Sequence, residues 1–432
     1  MIIIKFLKFL KFIKFLKFIK IIKIIKIIKI IKIIKIIFLF DSKITIIKMK
    51  ENVNNINNIN NINNINNINH IKILLIRDVQ PNRFKHLLKF KKNIENNGIS
   101  ITEQRNHLNY VDVVMYLVNS KTPYQSLPMS DKLFLNKCPK PVILVERLDS
   151  AVTWFRDFNK IPNLRAVFKN RIVKDANLNN GILWNGRHHY YLMNKTIIEK
   201  NKRLNKLIKR HVPLPAYEKN NDAGNSGLTI LPKIDPKYFD MIRPVIWDFH
   251  SSYLAKNLMT PYRESKIDWN KEYDVFCVTR DRATVDGVFR TKAKRIVEKL
   301  GKEGGIGDSI KVITKPIKPK HYAKIFKKCK ICIGCWGFGE WIHMDGYAMY
   351  SGVILIKPDT GYVYQYPDLY QNYKTYIPCK PDFSDLDAVI KHTLRNYDNY
   401  KEMLINNRKM LMEIDHKHLV KRFCDSIKEI LS

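Results

Sequence analysis

The residues best suited to chemistry in this 432-residue chain lie in one stretch, 331–358, ICIGCWGFGEWIHMDGYAMYSGVILIKP. It reads as a buried strand, a loop carrying Gly334, Gly337 and Gly339, a helix starting near Glu340 or Trp341, and a second strand. Glycines at a strand end let a ligand approach the backbone closely. A helix start offers unpaired N–H groups and partial positive charge, which suit a diphosphate. A nearby carboxylate, Glu340 or Asp345, can accept bonds from ribose hydroxyls, and Trp341 and His343 belong to the same corner. The alternative is an ordinary strand-to-helix turn whose glycines only relieve crowding.

A diphosphate needs cations. Arg280 and Arg282 follow the apolar run at 273–279, and Arg290 lies early in the next helical stretch. A guanidinium grips phosphate oxygens bidentately. Lys315 and Lys318 follow another strand end and are weaker candidates. General-base candidates come from the first half: Asp78, Glu146 and Asp149 at strand ends, with His250 further on. Glu146 and Asp149 flank one turn and are preferred, because a base must reach the acceptor hydroxyl within hydrogen-bond distance.

Two motifs mislead. Cys329, Cys332 and Cys335 have ligand-like spacing, but Cys332 and Cys335 fall in an apolar strand with opposite facing, and no second pair completes a zinc set. Metal is not expected. The glycine-rich segment 301–307 lies between a helix and the next strand and lacks the Lys-Ser/Thr ending of a phosphate loop.

These residues need elements to position them. Short apolar runs at 71–76, 111–118, 142–145 and 164–168 alternate with helical stretches, one of them over 82–94. A polar stretch, NNDAGNSG at 220–227, breaks the chain. The alternation restarts with strands at 273–279, 310–314, 331–335, 353–356 and 375–377 and helices at 288–300, 320–328, 342–350, 385–396 and 397–413. The spacing predicts an α/β fold of two Rossmann-like, doubly wound domains facing an interdomain cleft. Residues 71–255 form the first, 256–415 the second, and 416–432 a closing helix.

The stretch 331–358 resembles the donor-binding half of GT-B glycosyltransferases of the "glycosyl transferases group 1" kind. The resemblance rests on Gly337-Phe-Gly-Glu340, on Asp345-Gly-Tyr347-Ala348 and on Gly352-Val-Ile-Leu-Ile-Lys-Pro358, with supporting flanks, over residues 272–415. It implies a metal-independent transferase without a cofactor, taking a sugar from a nucleotide-sugar donor to a glycan, protein or lipid acceptor. The donor site would comprise Gly337, Gly339, Glu340, Trp341, His343, Asp345, Tyr347, Arg280, Arg282 and Arg290. One position departs from the pattern: the glutamate that usually contacts the ribose is Tyr347 here. Either Glu340 or Asp345 takes over that contact, or the donor mode differs, or catalysis is weakened.

The chain carries 77 Lys+Arg against 39 Asp+Glu, a formal net charge of +38. Anionic partners are expected. Seven cysteines form no disulfide framework and point to a reducing, cytoplasmic compartment. Lysine recurs at every third position from Lys5 to Lys35 within an Ile/Phe/Leu background, and residues 53–69 repeat Asn-Asn-Ile. A period of three drifts around a helix and leaves no lasting apolar face, and central lysines oppose membrane insertion. The tract over 1–37 is either a basic contact for anionic membrane or a translated AT-rich repeat, and residues 1–70 are read as low-complexity and disordered. Two other functional readings compete: a nucleic-acid-binding protein, which the charge suggests but no recognition motif supports, and a GT-B fold that binds glycans or a partner without turnover.

Overall fold

The computed structural model describes residues 70–77, 90–118, 127–146, 151–153, 155–180, 183–184, 188–189, 191–192, 228–229, 233–245, 260–279, 285–303, 309–337 and 339–432. The first part runs β1 (Ile71–Arg77), α1 (Lys91–Glu95), β2 (Ile99–Thr102), β3 (Val113–Val118), α2 (Met129–Lys137), β4 (Val142–Glu146), β5 (Leu164–Phe168) and β6 (Arg171–Val173). Then come β7 (Leu183–Trp184), its antiparallel partner β8 (Leu228–Thr229), and β9 (Ile242–Arg243). The second part runs β10 (Tyr273–Phe276), α3 (Val285–Glu303), β11 (Val312–Ile313), α4 (Pro319–Lys327), β12 (Cys329–Ile333), α5 (His343–Ser351) and β13 (Ile354–Pro358). It closes with β14 (Val363–Gln365), β15 (Ile377–Cys379), α6 (Leu386–Arg395), α7 (Lys401–Glu413) and α8 (His416–Leu431).

The expected α/β architecture is the one observed. Six strands form a parallel sheet in the order β2-β1-β3-β4-β5-β9, and five form a second parallel sheet in the order β11-β10-β12-β13-β15. In the first, Ile73, Leu75, Val113 and Met115 enter one core, while Leu74, Ile76, Val114 and Tyr116 enter another. Side chains alternate across a strand, so a sheet covered on both faces is built from unbroken apolar runs. In the second lobe, Phe289, Ala293, Val297 and Leu300 of α3 recur at helical spacing and pack on Val275, Ile331 and Ile354.

The last helix returns to the first sheet. Val420, Phe423, Cys424 and Ile427 of α8 pack into the first sheet's core, and Asp415 caps that helix by accepting from the His418 N–H at 2.7 Å. The lobes also share a wall. β6 pairs antiparallel with β14, and Ala151, Val152 and Val173 join Phe276, Leu355 and Tyr370 in one buried cluster. All seven cysteines are buried and unbridged, with Cys332 and Cys335 in the cores on opposite faces of the second sheet. Among the described residues, no helix is long and apolar enough to cross a membrane.

Candidate functional site

In the second sheet the chain leaves β10 for β11 on one side and returns to the other side as β12. Ligands of open parallel sheets bind outside the carboxyl ends of the strands where the order reverses. The carboxyl end of β12 leads directly into Gly334. A Cβ there would lie 2.7 Å from Leu355 Cδ1 and 3.1 Å from Asp345 Oδ1, so glycine lets β12, β13 and α5 close together. Three residues on, a Cβ on Gly337 would lie 2.9 Å from Arg290 Nη2. Arg290, half-buried on α3, donates from Nε to the Trp336 carbonyl at 3.2 Å. A guanidinium thus lies along a glycine backbone at the switch point.

Gly339 is buried, and its carbonyl accepts from the Gly337 N–H at 3.1 Å. Trp341 is half-buried, His343 exposed, and their rings meet edge-on at 5.2 Å. Of the sequence-predicted donor residues, the structure brings Gly337, Gly339 and Arg290 together, with Trp341 and His343 on the adjoining rim.

Glu340 stands elsewhere than expected. It is wholly buried between the lobes, accepting from the Ala151 N–H at 3.1 Å, His189 Nδ1 at 3.2 Å and the Tyr362 hydroxyl at 3.4 Å. Burial pushes its carboxyl up, but His189 and Arg171 pull harder and hold it down to about 2. Its oxygens are committed to joining the lobes and do not face an open groove. Asp345 is also buried. It sits in the first turn of α5, accepts from the Ile342 N–H at 3.3 Å and the Tyr370 hydroxyl at 2.7 Å, and pairs with Lys357 Nζ at 2.7 Å. A carboxylate neutralised by lysine thus occupies the helix start expected to face the diphosphate. Tyr347 turns away from the corner and stacks on Tyr262, with centroids 4.3 Å apart and planes 13° apart. Position 347 belongs to an aromatic packing face that also includes Phe326 and Tyr322.

Glu146, preferred as a base, is a buried structural partner. It ends β4 at 1% exposure, accepts from Lys169 Nζ at 3.0 Å and from the Phe155 N–H at 3.4 Å. Burial pulls the Lys169 ammonium down against the opposing pull of Glu146. Asp78, Asp149, His250, Arg280 and Arg282 lie outside the described residues, as do the polar stretch 220–227, most of the helix expected over 82–94, and residues 1–69.

The sequence reading missed His189. Its Nδ1 meets Glu340, and its Nε2 lies 3.3 Å from the Gly337 carbonyl. Both are acceptors, so the ring satisfies both only with a proton on each nitrogen. His189 therefore ties the first lobe to both ends of the glycine loop. The signal for it was thin: a His-His pair at 188–189 in no recognisable motif.

No protein-family model matches the chain, and no curated protein matches it. Several solved structures are similar at low identity. A glycotransferase of kitacinnamycin is 10% identical, with a TM-score of 0.31, over 84% of this chain and 100% of that one. An α1,3-fucosyltransferase is 16% identical, with a TM-score of 0.33, over 78% of this chain and 81% of that one. The UDP-GlcNAc 2-epimerase from Neisseria meningitidis bound to UDP-GlcNAc is 9% identical, with a TM-score of 0.35, over 84% and 99%.

Proposed function

We propose that the chain is a metal-independent glycosyltransferase that moves a sugar from a nucleotide-sugar donor to an acceptor hydroxyl. One observation carries the reading: Arg290 lies along the Gly337 backbone at the carboxyl end of β12, where the strand order of the second sheet reverses. Gly337 and Gly339 admit the donor diphosphate, and Arg290 neutralises it as the sugar departs. Trp341 and His343 stand at the rim for the remainder of the donor. Glu340 and His189 are positioning residues in this reading: they hold the loop's backbone against the first lobe and touch no substrate. Asp149 and His250 remain the base candidates.

The test is a thermal-shift screen against UDP-, GDP- and CDP-sugars, because a ligand that binds only the folded chain raises its melting temperature. One nucleotide class is expected to stabilise the protein. Arg290→Ala should weaken that binding about tenfold or more, the equivalent of one lost charge-assisted hydrogen bond. A screen with no stabilising nucleotide sugar, or an Arg290→Ala protein that binds as the native one does, sinks the reading.

A further inference from the structure

Beyond the carboxyl end of β13, the loops 359–362 and 368–374 border an open crevice of about 490 Å³, to which the first lobe adds Lys174. That volume falls within the range of small-molecule sites. Its charged lining is Lys174, Lys374, Asp359 and Asp368, two of each sign, in a chain with a large positive excess. Two carboxylates oppose a phosphate, and two ammonium groups oppose a metal ion. Gln371 and Asn372 add side-chain amides, and Tyr362 and Tyr370 add aromatic wall. Neutral hydroxyls, which both donate and accept, are what such a surface can satisfy.

The crevice is built. A Cβ on Gly361 would lie 2.6 Å from Asn372 Oδ1, so glycine at 361 lets the Asn372 side chain lie against the first loop. Asp359 Oδ1 spans them, accepting from the Gly361 N–H at 2.9 Å and Asn372 Nδ2 at 3.1 Å. Tyr373 holds a φ of +60° in the second loop, a conformation that costs a non-glycine residue about 1–3 kcal/mol and is concentrated at ligand clamps. The Lys374 and Thr375 N–H groups both donate to the Gln371 carbonyl at 3.0 Å and keep the turn closed.

One acceptor there lacks a donor among the described residues. Asp368 holds Lys174 through Oδ2 at 3.1 Å, while its Oδ1 is buried with no hydrogen-bond partner among the described residues. A buried carboxylate oxygen without a donor is unfavourable, and the Asp368 side chain is a quarter exposed where it lines the crevice. We infer that this crevice is a binding site for a neutral saccharide, held by Asp368, Asp359, Gln371 and Lys374 through its hydroxyls and by Tyr362 through its apolar face. Tyr362 also donates to Glu340, so the crevice adjoins the glycine loop. Binding a saccharide here requires no transfer reaction.

The experiment applies the full chain to an array of neutral, sialylated and sulfated oligosaccharides, followed by calorimetry of the strongest hit at low and high salt. A neutral oligosaccharide should bind with little salt dependence. Asp368→Asn should weaken it about tenfold, one hydrogen bond to a charged group. Lys374→Ala, at an exposed position that leaves the fold intact, should weaken it by a smaller factor and carries the test if the Asp368 variant does not fold. Arg290→Ala should leave saccharide affinity unchanged while abolishing any nucleotide-sugar stabilisation, which separates this site from the donor corner. Absence of any neutral hit overturns the inference. So does binding confined to charged glycans and lost in salt, or a neutral hit indifferent to both crevice variants.

Discussion

Each lobe buries a lysine–carboxylate pair near the carboxyl ends of its sheet, and the two pairs do different things. In the first lobe, Lys169 Nζ lies 3.0 Å from Glu146 and also donates to the Val152 carbonyl at 3.2 Å. Glu340 of the other lobe acts on it electrostatically, and Val152 belongs to the shared interlobe core. In the second lobe, Lys357 meets Asp345 at 2.7 Å, and Asp345 also accepts from Tyr370 and Ile342, all within that lobe. All four side chains are at most 1% exposed. The first pair therefore serves the joint between lobes, and the second fixes α5 over β13 beneath the glycine loop. A buried pair is weak evidence for net stability, but removing one partner strands the other charge.

Breaking the first pair should cost most. Lys169→Met should destabilise the protein by about 3–5 kcal/mol, read as a lower urea midpoint. Glu146 would lose its ammonium partner and keep the long Phe155 bond of 3.4 Å. The double variant Glu146→Gln/Lys169→Met should recover part of the loss. Lys357→Met should cost about 3 kcal/mol, the lower end of the same range, because Asp345 keeps its bond from Tyr370 at 2.7 Å. Equal losses would erase the distinction.

The joint should also respond to acid. Glu340 falls from an ordinary 4.5 to about 2 in the folded chain. Its folded value is depressed, so its contribution is fully present above about pH 4.5 and disappears as the pH falls toward 2. The shift is equivalent to about 3 kcal/mol at most. Glu340→Gln should therefore lower stability at pH 7 by about 2–3 kcal/mol and narrow the gap from the native protein as acid is added. A gap of constant size between pH 6 and pH 3 would count against Glu340 as the acid-sensitive contact.

How much of this could be read beforehand follows from what is local. The strands at 71–77, 142–146, 164–168 and 354–358 were visible as apolar runs because both of their faces are buried. The short β2 was missed: its ISIT pattern of four residues follows Gly98 without a helical break. The βα corner was legible from its glycines, and Arg290 from its place in the next helix. What the sequence hid was pairing across long separations. Glu340 meets Ala151 across 189 positions and His189 across 151. β6 meets β14 with no turn between them to announce it. Glu146 read as a base candidate at a strand end because Lys169, its partner, is 23 positions away. Lys357 did leave a trace, as the one charge inside VILIKP. A lysine in a strand buried on both faces requires a carboxylate, and Asp345 supplies it.

The smallest effect concerns how α5 holds the second pair in place. Asp345 and Tyr347 are two residues apart on α5, so their side chains leave different sides of the helix. One engages Lys357, and the other stacks on Tyr262. Replacing Tyr347 by leucine keeps apolar bulk but removes the ring pairing, which is equivalent to about 0.5–1.5 kcal/mol. A cycle with Tyr262→Leu should show coupling of that size, because the two rings are in direct contact. Tyr347→Glu should be worse than leucine, since it places a carboxylate among Tyr262, Tyr322 and Phe326. If the glutamate variant instead matched native stability and bound a nucleotide sugar more tightly, position 347 would face the donor, and the division of α5 into a pairing side and a packing side would be wrong.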